Sequence, residues 1–168
     1  MQVSYKHAGV IPSGFHNGEK KYIFAVQNNN NVSSFHGEKD SKDHDNPMRT
    51  AAREASEESL NIFGNAHAIY QSLHNATIIN NTKTNGIVYI TNSLPIPSHP
   101  KHTFYAKREH LKQAGLLKFP FNEIKEIIVV GRNELIKEID NNTHGIQGRW
   151  VREHVWSTLK LARAQGKL

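Results

Sequence analysis

Cysteine is absent from the whole chain. Its absence excludes disulfide cross-links, thiolate metal sites and a cysteine nucleophile, and it fits a reducing interior. The expected location is cytoplasmic or otherwise intracellular. No run approaches the about 18 apolar residues that a membrane-spanning helix requires, so no membrane partner is expected. The opening stretch, MQVSYKHAGVIP, lacks a basic patch followed by a long apolar run, so no signal peptide is expected there. Eleven histidines are present, but no pair has the HExxH spacing, and a zinc site is not expected. Aromatic residues make up only 8% of the chain, so any stacking of a nucleobase falls to a few positions: Tyr22, Phe35, Phe104, Tyr105, Phe119 and Trp150.

What is present suits one folded unit. A chain of 168 residues with 37% hydrophobic and 21% charged residues can bury a single core, and one domain over residues 1–168 is expected. The net charge is +6, unevenly spread. Residues 1–60 hold seven Lys/Arg against eight Asp/Glu, while residues 61–168 hold fourteen against seven. An acidic cluster within a basic molecule suits a cation at the cluster and an anionic substrate around it. A surface kept in solution by excess lysine explains the same totals.

Two strands are expected at KHAGVI and KKYIFAVQ, with PSGFHNGE as their turn. The polar stretch NNNNVSSFHGEKDSKDHDNP reads as a loop. In NPMRTAAREASEESL, Asn46 can cap a helix and Pro47 suits its first position. Met48, Ala51, Ala52 and Ala55 then fall on one side at helical spacing. AHAIYQSL, ATIIN and GIVYIT read as short strands, the last two joined by a hairpin turn at NTKTNG. TFYAKREHLKQAGL reads as a helix ending at Gly115, EIKEIIVVG as a strand, and RNELIKEID as a short helix or turn. A basic C-terminal helix is expected at about residues 149–165, with Val151, Val155, Leu159 and Ala162 as its inward stripe. Strands interspersed with helices make the class mixed α/β or α+β.

The stretch RTAAREASEESL places Glu54, Glu57 and Glu58 within an arc of about 100° on one helix face. Like charges at i,i+4 repel, and more strongly when desolvated. A divalent cation would offset that repulsion, and so would full solvation of the face. Arg53 stands four residues before Glu57, where it can pair with it.

With its surroundings, this stretch resembles the signature box of the Nudix hydrolases: a glycine loop, an acidic residue, then Arg-Glu, two residues and Glu-Glu. Gly37 matches the loop glycine, Asp45 the acidic residue, and Arg53, Glu54, Glu57 and Glu58 the RExxEE core. KHAGVI resembles the family's opening strand and EIKEIIVVG a later one near its catalytic groove. The chain departs from the box in four places. Its loop from Gly37 to Asp45 is two residues longer, Asp45 replaces a glutamate, His36 stands where a second loop glycine belongs, and Leu60 replaces the box glycine.

The resemblance implies an α/β fold, a Nudix-type α/β/α sandwich with a mixed sheet. It implies hydrolysis of a pyrophosphate bond in a nucleoside diphosphate linked to another group, with Mg²⁺ or Mn²⁺ as cofactor. Glu54, Glu57 and Glu58 would bind metal, Arg53 would orient them, and Glu123 is the first candidate for an acid from outside the box, ahead of Glu126. Gly37 would permit close backbone approach or an unusual dihedral. Asp45 would ligate a cation or close the start of the helix. Lys39, Lys42 and Arg108 are candidates for binding phosphate. The implied partner is a nucleotide-derived small molecule (a nucleoside triphosphate, nucleotide sugar or dinucleoside polyphosphate) or a capped RNA. Arg149, Arg152, Lys160, Arg163 and Lys167 could follow an RNA backbone. The alternative is a non-catalytic nucleotide- or RNA-binding module on the same fold.

Overall fold

The computed structural model describes residues 4–168, so the first three residues of MQVSYKHAGVIP and of the 1–168 span lie outside it. The fold is organised around β1 (His7–His16), whose central residues are buried on both faces. One edge of β1 runs parallel to β6 (Gly86–Thr91), from His7 opposite Gly86 to Pro12 opposite Thr91. The other edge is shared. Its first half pairs antiparallel with β4 (Phe35–Glu38), and its second half with β2 (Glu19–Gln27). Pro12 falls between Val10, the last partner of β4, and Ser13, the first partner of β2. A residue without an N–H is tolerated at such a change of partner. The short β3 (Val32–Ser33) and the long β7 (Ile124–Gly131) flank β2, and β5 (Thr77–Asn81) closes the far side against β6. The sheet is therefore mixed.

Helices cover both faces. On one side lie α1 (Pro47–Glu58), α2 (Ala66–Ser72) and α3 (Pro100–Gln113), whose Ala51, Ala52, Ala55, Ile69 and Phe104 pack on Ala8, Val10, Ile23 and Ile127. On the other lie α4 (Arg132–Asp140) and α5 (Glu153–Ala164), whose Leu135, Val155, Trp156 and Leu159 pack on Ile11, Tyr22, Phe24 and Val130. Among the described residues, no helix is long and apolar enough to cross a membrane.

Several elements differ from the sequence reading. The first strand runs on to His16, and the turn shrinks to Asn17 and Gly18, both at positive φ. AHAIYQSL forms α2 rather than a strand: Asn65 accepts from the N–H of Ala68 at 2.9 Å, capping a helix with only Ile69 fully buried. The stretch read as one loop after Gln27 holds β3, β4 and a 3-10 turn (Ser41–Asp43), because Val32, Ser33, Ser34 and Phe35 are buried. The C-terminal helix starts at Glu153. The residues before it form β9 (Arg149–Trp150), paired with β8 (Gly145–Ile146), and a parallel bridge from Val151 to Val32.

Candidate functional site

The acidic face of α1 is held against β4 by its own sequence. Asn46 accepts from the N–H groups of Met48 and Arg49 at 3.0 and 3.3 Å, and Pro47 opens the helix. Ala51, Ala52 and Ala55 are fully buried, so the helix backbone lies close to the sheet. Glu54, Glu57 and Glu58 then project along the side that borders β4. The close approach is tightest at Gly37, where a Cβ would fall on the carboxyl group of Glu54. Gly37 has no positive φ, so its role is the approach itself and not an unusual dihedral.

Arg53 organises the cluster. Its Nε and Nη2 donate to the two carboxylate oxygens of Asp43 at 3.1 and 2.9 Å, its Nη2 donates also to the carbonyl of Glu38 at 3.0 Å, and its Nη1 donates to Glu54. The i,i+4 contact with Glu57 is the looser one, at 3.6 Å. Asp43 is 3% exposed and further accepts from Thr50 Oγ1 at 2.8 Å and the N–H of Asp40 at 2.9 Å. Burial works to raise its pKa, but the hydrogen bonds from Arg53, the Asp40 N–H and Thr50 outweigh it and hold Asp43 below the usual carboxylate range.

This corrects the reading of Asp45. The acid that closes the start of α1 is Asp43, while Asp45 is exposed and paired only with Lys39, at 3.0 Å. The extra two residues of the loop are taken up by His44 and Asp45 themselves, which both adopt left-handed conformations at φ 52° and 54°. They bulge outward and leave Asp43 to dock on Arg53. Leu60, where the box glycine is expected, also has a positive φ, 55°, and offsets its strain by burying its side chain in the core.

Glu58 is 3% exposed, and its Oε1 accepts from the backbone N–H of His36 at 2.7 Å. Burial, and next the charge of Glu54, push its pKa well above the usual value. Glu54 and Glu57 are also raised, chiefly by burial, against the opposing pull of Arg53. Glu123 lies close enough to repel all three electrostatically. A cavity of about 380 Å³ opens there, lined by Glu58, Glu123, Gln27, Asn28, Asn29, His36 and Arg152. Glu126 stays outside this cavity, held by Arg149 at 3.1 Å and Lys101 at 3.6 Å.

The phosphate candidates are placed differently. Lys39 is bound to Asp45, Lys42 lies 3.9 Å from Asp40, and the Arg108 Nε donates to the carbonyl of Ile124 at 3.2 Å; none lines the cavity. The C-terminal basic set disperses too. Arg149 pairs with Glu126, Arg163 with Asp140, and Lys167 donates to the carbonyl of Ile78.

Sequence reasoning missed a group of three imidazoles behind Glu58. His36 Nε2 and His154 Nε2 are 2.6 Å apart, and the ring of His7 lies 5.0 Å from that of His154. The Nδ1 of His36 sits 3.0 Å from the carbonyl of Ser34 and 3.1 Å from Ser33 Oγ; a proton on Nδ1 serves the carbonyl and leaves Nε2 to accept from His154. Burial above all, then the neighbouring charge of His154, lowers the pKa of His36 to about 3. Burial, then Arg152, lowers His154 to about 4. These residues stand 118 positions apart, and no local pattern announces the pairing.

The donors suit a hard divalent cation, being carboxylates with one deeply buried. Among the described residues, no three acidic or histidine side chains form a ready-made coordination shell. A hexacoordinate Mg²⁺ usually takes only one or two protein carboxylates and shares the rest among water and substrate oxygens.

No family model matches the chain, and no curated protein matches it in sequence. Among solved structures it is similar to the NUDIX domain of Shewanella oneidensis NrtR complexed with ADP ribose, at 5% identity and a TM-score of 0.51, over 98% of this chain and 90% of that one. It is similar also to a C. elegans Ap4A hydrolase in a binary complex, at 12% identity and a TM-score of 0.49, over 96% of each. The first likeness shows the fold: the helix-flanked mixed sheet is a Nudix-type α/β/α sandwich.

Proposed function

From the Nudix fold and the acid cluster on α1, we propose that this chain hydrolyses a pyrophosphate bond in a nucleoside diphosphate linked to a further group. The observation that carries this reading is the buried carboxylate of Glu58, which lines a cavity together with Glu123 and feels the charges of both Glu54 and Glu123. Burying a carboxylate without a cation is costly, and Glu58 has one backbone donor and no ion-pair partner among the described residues.

Glu54, Glu57 and Glu58 are the residues that would hold Mg²⁺ or Mn²⁺, with Glu123 as the acid from outside α1. Bound there, the cations neutralise diphosphate oxygens and lower the pKa of water. Arg53 holds Glu54 and leans on Glu57, so it positions the carboxylates and does not touch the metal. Gly37 lets β4 lie against Glu54. The His36 N–H keeps Glu58 aimed at the cavity.

The part of the substrate beyond the diphosphate has room in a larger cavity of about 940 Å³ between α3 and the sheet. Phe15 and Tyr105 are exposed along it, Phe104 lies against its floor, and Lys21, Lys101 and Lys125 add positive charge. Flat apolar faces among cations suit a nucleotide. Lys125, which lines this cavity, is two residues from Glu123, which lines the acidic one. ADP-ribose-like substrates come first for testing, since the similar NUDIX domain is complexed with ADP ribose.

The test is a substrate panel of ADP-ribose, nucleoside triphosphates, diadenosine polyphosphates and capped RNA, with Mg²⁺ or Mn²⁺. Release of a phosphate-containing product that Glu57→Gln and Glu58→Gln both suppress supports the reading. Turnover unchanged in both variants rejects the site. Nucleotide or RNA binding without turnover of any panel member moves the chain to the non-catalytic module.

A further inference from the structure

Arg152 is the one guanidinium lining the acidic cavity, and its surroundings leave it free. Its backbone N–H donates to the carbonyl of Val32 at 3.0 Å, and the preceding Val151 bridges to Val32. That ties the residue to β3, next to the strand that carries His36 and Gly37. The side chain is half-buried and forms no ion pair among the described residues, in contrast to Arg53, Arg149 and Arg163. Arg108 and Arg132 instead donate to the carbonyls of Ile124 and Leu168.

Among the described residues, the side chain of Arg152 has one hydrogen-bond contact, with His36 Nε2, 3.5 Å from its Nη1. That nitrogen has a single lone pair, and His154 already occupies it at 2.6 Å. A contact of 3.5 Å to an engaged acceptor is at the limit of a hydrogen bond. The donors of Arg152 are therefore left over, in a cavity whose other charged lining groups are Glu58 and Glu123. Salt bridging to Glu58 would be the simple outcome for such a pair, and it does not occur. Glu58 takes its hydrogen bond from the His36 backbone instead.

Resting on the hydrolase reading above, we infer that Arg152 binds a phosphate oxygen of the substrate, facing the carboxylates across the cavity. The planar fork of a guanidinium matches a phosphate in two donors at once. The cations held by the glutamates and this fixed cation would then grip the diphosphate from two sides. The position is supplied by the turn into α5, not by a basic track along the helix. A single anchored cation selects a compact diphosphate over a long polyanionic backbone.

The experiment compares wild type, Arg152→Ala and Arg152→Lys. Binding of α,β-methylene-ADP is measured by calorimetry with Mg²⁺, binding of Mn²⁺ alone by paramagnetic resonance, and the fold by thermal melting. Loss of a charge-assisted contact in Arg152→Ala should weaken analogue binding about tenfold or more. Arg152→Lys should recover part of that loss. Mn²⁺ binding should be unchanged or tighter in both variants, because a positive charge beside Glu58 has been removed or moved. Equal analogue affinity in wild type and Arg152→Ala overturns the inference. So does weakened Mn²⁺ binding with a matching loss of melting temperature, which marks Arg152 as structural. The two readings fail separately: a wild type that turns over the panel while Arg152→Ala keeps the same KM sinks only this inference. A wild type that binds no analogue and turns over no panel member sinks both.

Discussion

A Cβ placed on Gly37 would fall on the carboxyl group of Glu54, so the strand and the acidic helix touch at a point with room for hydrogen only. Gly37→Ala must therefore push Glu54 away or open β4 from α1. Displacing a catalytic group by about 1 Å can cost about 100-fold in rate. The expected result is a fall of that order in kcat/KM, with overpacking costing about 1–3 kcal/mol of stability. Steady-state kinetics beside denaturant melts separate the two effects.

Asp43 and Asp45 should respond in opposite ways. Asp43 is buried and takes two hydrogen bonds from Arg53. Asp43→Ala strands that guanidinium, and breaking a buried pair from one side costs about 3–5 kcal/mol. Asp45 holds only the exposed Lys39, so Asp45→Ala should leave stability and turnover nearly unchanged. Urea melts of the two variants check the contrast.

Glu58 and the histidines behind it set opposing pH dependences. Glu58 is held well above its ordinary value of 4.5, first by burial. Its contribution to stability is thus present below that ordinary value and lost as pH rises through the folded one. His36 and His154 are lowered to about 3 and about 4, so their contribution is present above the ordinary 6.5 and lost as pH falls through those values. In EDTA, Glu58→Gln should remove the loss that Glu58 causes as pH rises and so raise the melting temperature on the high-pH side of the profile. Adding Mg²⁺ should stabilise the wild type more than the variant. His154→Gln should flatten the acid side of the same profile. Melting curves across pH, with and without Mg²⁺, measure all three.

Leu60 carries a left-handed conformation for the sake of its burial. It is 1% exposed at φ 55°. Leu60→Ala keeps the backbone strain and loses the packing, so a loss of about 2–5 kcal/mol is expected. Activity per folded molecule should change little, since Leu60 touches the core and not the cavity. Chemical denaturation and active-site titration together test this.

Much of the site was legible because it is local. Asn46, Pro47 and the alanine stripe specify α1 within one short stretch, and the spacing of Glu54, Glu57 and Glu58 follows from helix geometry alone. Glu123 was legible as an acid at the start of a strand, though its approach to the others depends on the sheet. The loop defeated the reading because spacing counted back from Arg53 lands on Asp45, while the chain absorbs two residues as a left-handed bulge and docks Asp43. Asp40 and Asp43, which cap each other's backbone three residues apart, were the available signal. α2 was misread because its apolar residues are few and fit either period. Arg152 was read as one of a basic set that could follow an RNA backbone, and His154 was not singled out. What places Arg152 in the cavity and His154 against His36 is the tie between Val151, Arg152 and β3, a contact across more than a hundred residues that no local pattern encodes.

The central claim is that the carboxylates on α1 hold divalent cations. Its most direct test is a Mn²⁺ titration followed by paramagnetic resonance, on wild type, Glu57→Gln and Glu58→Gln in the presence of α,β-methylene-ADP. The account predicts that wild type removes the free Mn²⁺ signal at low concentration and that each substitution restores it, with the fold intact by circular dichroism. A free-Mn²⁺ signal that is the same for all three proteins, or is undiminished by wild type, would contradict it.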